Sequence, residues 1–185
     1  TNEIIDRFGD KAATPVEEAV LTSDSADRRA MGMWVLNRLG KLSQEIRTGL
    51  ADDSSPLVRT HLARCLAERP EWTAEDSKTA MKLITDPHAM VRRATADAMG
   101  RHPQPNQIDA LWKAWQTAEP QDTHLVHVAR MAIRDHLKNA DCTNSPAVVD
   151  LVKSHPAELL PIILATATDA GAELLVKSDA AQAAN

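Results

Sequence analysis

Apolar residues return along this chain with the spacing of a helix. Val58, Leu62, Cys65 and Leu66 stand at i, i+4, i+7 and i+8, and Val91, Ala94, Thr95, Ala98 and Met99 at i, i+3, i+4, i+7 and i+8. Leu125, Val128, Ala129, Ala132, Ile133 and Leu137 repeat the stripe. At 3.6 residues per turn each set falls on one side of an α-helix, and that side must be buried. A shorter amphipathic run precedes each stripe, at 16–21, 46–50, 80–84 and 108–115. The joining segments read Asp53-Ser54-Ser55-Pro56, Asp86-Pro87-His88 and Glu119-Pro120-Gln121. In these, Asp or Ser can cap the next helix and Pro fits its first turn. Pro70 and Pro103 stop the second helix, because the residue before Pro is pushed out of the α region. The predicted unit is helix, turn, helix.

The unit repeats. Asp53 recurs as Asp86, Val58 as Val91, Arg59 as Arg92, Ala63 as Ala96 and Pro70 as Pro103, always 33 positions on. A further step, with one inserted residue, takes Val91 to Leu125, Ala94 to Val128 and Ala98 to Ala132. A step back of 31 from Arg59 reaches Arg28 and sets Trp34 against Cys65 and Val35 against Leu66. A fixed period of this size is the mark of a repeat architecture, in which no unit buries its apolar face alone. The expected fold is therefore all-α, an α-solenoid of about five helix pairs at 14–40, 43–70, 76–103, 106–139 and 145–178. These form one domain over 1–178, followed by a polar, alanine-rich tail at 179–185. In the last pair Pro161 either kinks its helix or opens a fresh one after Pro156.

Composition agrees with helices. Of 185 residues 43% are apolar but only 3% aromatic, with Phe8 the sole Phe and no Tyr, so the core must be built from Ala, Leu, Val, Ile and Met. The balance of 21 basic against 26 acidic residues gives 21 − 26 = −5, which argues against nucleic acid as a partner. Cys65 and Cys142 share no Cys-x-x-Cys or Cys-x-x-Cys-His spacing, so neither a zinc knuckle nor a covalent haem follows, and no cofactor is expected. No run of about 18 apolar residues is present to span a membrane. The chain opens at Thr1 without a basic-then-apolar leader and reads as a piece of a longer polypeptide.

Helix pairs with Asp in the turn and Val-Arg opening the second helix, as in Asp53…Val58-Arg59 and Asp86…Val91-Arg92-Arg93, resemble HEAT repeats in a compact form. Three longer motifs narrow the likeness: Arg29-Ala30-Met31-Gly32-Met33-Trp34-Val35-Leu36, then Val91-Arg92-Arg93-Ala94 through Gly100-Arg101-His102-Pro103, then Asp122-Thr123-His124-Leu125-Val126-His127 through Ile133-Arg134-Asp135-His136-Leu137. Over roughly 27–137 the chain is similar to the large membrane-bound, sorbosone-type dehydrogenases of planctomycete-like bacteria, in which a propeller precedes a HEAT-like region. That resemblance implies a non-catalytic scaffold inside a larger redox protein, exported to the periplasm; a cytoplasmic setting is the alternative. The partners it implies are neighbouring domains of the same polypeptide, or another protein, on the concave face.

Four charged residues are the most regularly placed: Asp53, Arg59, Asp86 and Arg92. In HEAT repeats such side chains form a ladder between units, with Arg donating to turn carbonyls and to a neighbouring Asp. A single exposed pair contributes only about 0–1 kcal/mol, so the expected role is to fix the rotation of one repeat on the next. An anion site at the same arginines is the sharper alternative. No catalytic residue is assigned. The residues with any metal-ligand spacing are His124 and His127, at i, i+3 on one helix, with Asp122 just before; their plainer reading is a polar helix face beside a turn. Trp34, Trp72, Trp112 and Trp115 could form an aromatic platform, or fill space between helices. Arg64, Arg69, Arg92 and Arg93 could line a basic strip like that of the HEAT-like DNA glycosylases. The second functional class is accordingly a HEAT-like enzyme or binder acting on DNA or a small cofactor.

Overall fold

The computed structural model describes residues 2–182, with side chains over 3–178, and they form an all-α solenoid of helix pairs without a strand among the described residues. The chain divides into two compact units, 1–95 and 96–185.

In the first unit α1 (Asn2–Phe8) and a 3-10 turn (Gly9–Ala12) lead into α2 (Ala13–Thr22), which pairs with α3 (Ala26–Arg38). The next helices are α4 (Gln44–Leu50) and α5 (Pro56–Ala67), then α6 (Ala74–Leu83) and α7 (Ala89–Arg101), within which the division between units falls. Second helices pack on second helices, α3 on α5, and first on first, α4 on α6. The expected stripes face inward: Val58, Leu62, Cys65, Leu66 and Val91 have no exposed surface. Helix boundaries follow from local chemistry. Ser25, Ser43 and Thr73 each accept a backbone N–H three residues on, and Thr73 forms a reciprocal capping box with Asp76. Gly40 ends α3 at φ 67°, where Lys41 N–H donates to the Leu36 carbonyl at 2.8 Å, a reversal that a side chain would strain.

Two local expectations need correction. Asp53 and Asp86 do not cap the following helix. Each accepts the N–H two residues on, from Ser55 and His88 at 2.8 Å, because a short Asx turn places the carboxylate beside the turn rather than over the helix end. Pro56 opens α5 as expected, but Pro87 lies outside α7.

The second unit holds the end of α7, a 3-10 turn (Pro105–Gln107), α8 (Ile108–Gln116), α9 (Thr123–Lys138), a single turn α10 (Ala140–Thr143), α11 (Pro146–Ser154), α12 (Pro156–Leu164) and α13 (Asp169–Gln182). Helix α11 packs on α8 and α12 on α9, while α13 packs against both α11 and α12. Asp122 caps α9 through Leu125 N–H at 2.9 Å. Pro156 opens α12 and Pro161 sits inside it; lacking an N–H, Pro161 faces outward on the exposed side. The helix stops at Leu164, and Ala167 takes a left-handed φ of 50° before α13 begins. Helix α13 runs through Gln182 into the segment expected as a tail, and 183–185 lie outside the described residues.

Candidate functional site

The ordered charges of the first unit lie at the turns. Arg59 donates from Nε and Nη2 to the two carboxylate oxygens of Asp86, at 2.6 and 3.0 Å, and from Nη1 to the carbonyl of Asp53 at 2.6 Å. Arg29 repeats the arrangement one turn earlier, with Nε and Nη2 on Asp53 at 2.7 and 2.8 Å and Nη1 on the carbonyl of Ser23 at 2.8 Å. Arg92 donates to the carbonyls of Asp86 and Pro87, both at 2.9 Å. Six positions therefore separate each Arg from a backbone carbonyl, while the carboxylate partner of Arg29 and of Arg59 belongs to the next turn. Burial would raise the carboxyl groups of Asp53 and Asp86, but the bidentate arginine and an amide N–H outweigh it, holding both below the usual carboxylate range.

Arg29 occupies the place that counting back 31 gave to Arg28. Arg28 is exposed, whereas Arg29 is partly buried and paired. The true step is 30, which also sets Val35 against Cys65 and Leu36 against Leu66, all four buried. The step falls short of 33 chiefly because α4 has 7 residues where α6 has 10.

A second cluster escaped the repeat count. Arg47 Nε donates to Asp76 Oδ1 at 2.8 Å and Arg69 Nε to Oδ2 at 3.1 Å, while Thr73 N–H reaches Oδ2 at 3.0 Å. The side chains of Arg47 and Asp76 are only 6% and 1% exposed, and Arg47 Nη1 also donates to the Leu42 carbonyl at 2.6 Å. The Thr73-x-x-Asp76 spacing is a capping-box signal readable in sequence; the arrival of Arg47 from α4 is not. Arg69 thus pairs with a carboxylate rather than joining a basic strip, and Arg92 is held by turn carbonyls.

His124, His127 and Asp122 are not brought together. Both histidines are exposed on α9, while Asp122 is buried as its N-cap, and among the described residues no group of three or more His, Cys, Asp or Glu is arranged for a metal. The buried histidine of that helix is His136. Its Nδ1 lies 2.8 Å from the Ala132 carbonyl and its Nε2 accepts Gln104 N–H at 3.3 Å, 3.2 Å from the carboxamide of the fully buried Gln107. Nδ1–H donating and Nε2 accepting is the neutral tautomer, and burial holds the ring's pKa below the ordinary histidine value.

The four tryptophans are half-buried, so none forms an open platform. Trp34 donates to His61 Nδ1 at 2.9 Å and Trp72 to the Leu66 carbonyl at 2.9 Å. Trp112 packs edge-on against Trp115 at 5.0 Å and against His155 at 4.4 Å, and Arg130 lies 5.3 Å over the Trp115 ring. Cys65 and Cys142 are buried free thiols, pushed up by burial to about 12 and about 11. No helix is long and apolar enough to cross a membrane among the described residues.

Comparison with curated proteins and with solved structures found no match for the chain. The family model for HEAT repeats matches residues 43–133, from the cap of α4 into α9. With helix pairs in series and Arg-to-Asp bridges between consecutive turns, this stretch is a HEAT-like repeat region.

Proposed function

We propose that the chain is a non-catalytic interaction scaffold within a larger protein. HEAT repeats commonly serve as protein-interaction scaffolds. The observation that carries the reading is the repeated bridge, Arg29 to Asp53 and Arg59 to Asp86. Asp53, Arg59, Asp86 and Arg92 act as a structural ladder: the guanidinium groups of Arg29 and Arg59 each join two turns and fix their rotation, while Arg92 ties down the carbonyls of the Asp86 turn, so the unit presents a surface of defined shape. The five helix pairs and the single domain over 1–178 belong to the same proposal, with neighbouring domains or another protein as partner. The motifs at 29–36, 91–103 and 122–137 support a dehydrogenase-type parent, and with it export.

The test is to produce the chain and the segments flanking it in its gene separately and to measure their association by calorimetry. Saturable binding to a flanking segment is expected. Duplex DNA binding with a steep salt slope, or turnover of a redox dye by the isolated chain, would overturn the proposal.

A further inference from the structure

The geometry points to a docking groove for an acidic protein segment between α9 and α12 of the second unit. This rests on the scaffold reading and deepens it, naming a surface and the chemistry of what sits there.

Helix α9 has two faces. Leu125, Ala129, Ala132, Ile133, His136 and Leu137 are its buried side. His127, Arg130, Met131 and Arg134 stand at i, i+3, i+4 and i+7 on another stripe and line a hollow of about 300 Å³ shared with Pro161 and Ile162 of α12. The floor is apolar: Ile162 is only 6% exposed and Met131 half-buried. The rim is cationic, and none of the residues lining this hollow is Asp or Glu. In a chain of net charge −5 such a rim is a local reversal of sign. Arg130 lies 5.3 Å over the Trp115 ring and is exposed, where its N–H donors can meet carboxylates. Asp135, 2.9 Å from Arg134, leaves that rim partly neutralised but lines the adjoining hollow instead.

An occupant complementary to this place carries one bulky apolar side chain for the floor, flanked by Asp or Glu for Arg130 and Arg134. An exposed segment of a partner protein supplies that pattern, with the charges setting orientation and the apolar anchor most of the affinity.

The experiment selects peptides from a random library on the full chain, then measures the winners against Arg130→Glu/Arg134→Glu, a variant whose unchanged circular dichroism and melting confirm its fold. Enriched peptides with carboxylates around a single Leu, Ile, Met or Phe, weakened at least about tenfold by the variant, are expected. Peptides of no common pattern, or ones that bind the variant equally, would overturn the groove. Two parallel measurements do the same: single-stranded oligonucleotide binding lost in the variant assigns the rim to nucleic acid, and variant-sensitive self-association in sedimentation assigns it to a second copy. If flanking segments still bind the variant by calorimetry, the scaffold reading stands while the groove falls.

Discussion

Arg59 joins two consecutive turns through one guanidinium: Asp86 takes its Nε and Nη2 side by side, and the carbonyl of Asp53 takes its Nη1. The side chains are 13% and 7% exposed, so this is not a surface ion pair screened by water. Three directed donations from one planar group also define an angle between the turns, which a point charge would not.

Arg59→Ala leaves the Asp86 carboxylate partly buried with its main partner gone and should cost about 2–4 kcal/mol. Arg59→Lys keeps the charge but loses the fork, and should cost about 1–2 kcal/mol. Urea unfolding with a double-mutant cycle on Asp86→Asn measures both; a coupling energy near zero would show that the pair contributes nothing.

Acid should weaken the first unit through its aspartates. Burial opposes ionisation of Asp53, Asp76 and Asp86, yet the facing arginines and amide N–H groups leave all three depressed. A depressed carboxyl contributes stability that is present above its unfolded value, about 3.9, and is lost as pH falls from there through the folded value. Melting temperature should therefore drop below about pH 4, and Asp53→Asn/Asp86→Asn, less stable at pH 7, should drop less steeply there. Parallel curves for the two proteins would contradict this.

His136 sets a separate, earlier acid step. Burial lowers its pKa against the opposing pull of the Ala132 carbonyl and of Asp135. The unfolded chain then takes up the proton first, so stability starts to fall as pH drops below about 6.5 and continues down to the folded value. His136→Gln should flatten the melting profile as pH falls below about 6.5. A profile unchanged by that substitution would remove His136 from the account.

Leu62→Asp and Ala98→Asp place a charge at positions with no exposed surface and should each cost roughly 3–5 kcal/mol. Lys113→Ala, on the exposed side of α8, should stay within about 0.5 kcal/mol. Equal melting temperatures for all three would mean the buried faces are misassigned.

Gly32 sits inside α3 where a Cβ would lie 2.6 Å from Val20 Cγ2 and 3.3 Å from Val16 Cγ1. Gly32→Ala gains up to about 1 kcal/mol of helix propensity, yet the overlap with the buried Val20 should make it destabilising by about 1–2 kcal/mol. Adding Val20→Ala should restore much of the loss in thermal unfolding; if the double variant is worse than additive, the contact is not the cause.

Helix pairs and their buried faces were legible in sequence because both follow from local rules: a 3.6-residue stripe needs one covered face, and Pro, Ser and Asp mark the turns. Val58, Leu62, Leu66, Leu125 and Ile133 were placed by spacing alone and are fully buried. Asp53, Arg59, Asp86 and Arg92 share one period, and the Arg59–Asp86 pair spans two consecutive turns. Where repetition failed, local counting misled: α4, with 7 residues against the 10 of α6, shortens the step, and the paired arginine is Arg29 rather than Arg28.

What the sequence by itself determined is the class of fold and the periodic part of its charge pattern, both products of short-range geometry. Partner choice belonged to tertiary structure. Whether an arginine meets the aspartate of its own turn or the next depends on how helices stack, as does the arrival of Arg47 at Asp76 from 29 residues away. The same holds for His136, an unremarkable polar residue in the chain that becomes buried because α9 and the 104–107 segment close over it. The hollow between α9 and α12 likewise exists only once two helices distant in sequence lie side by side, since a stripe becomes a groove only against another wall.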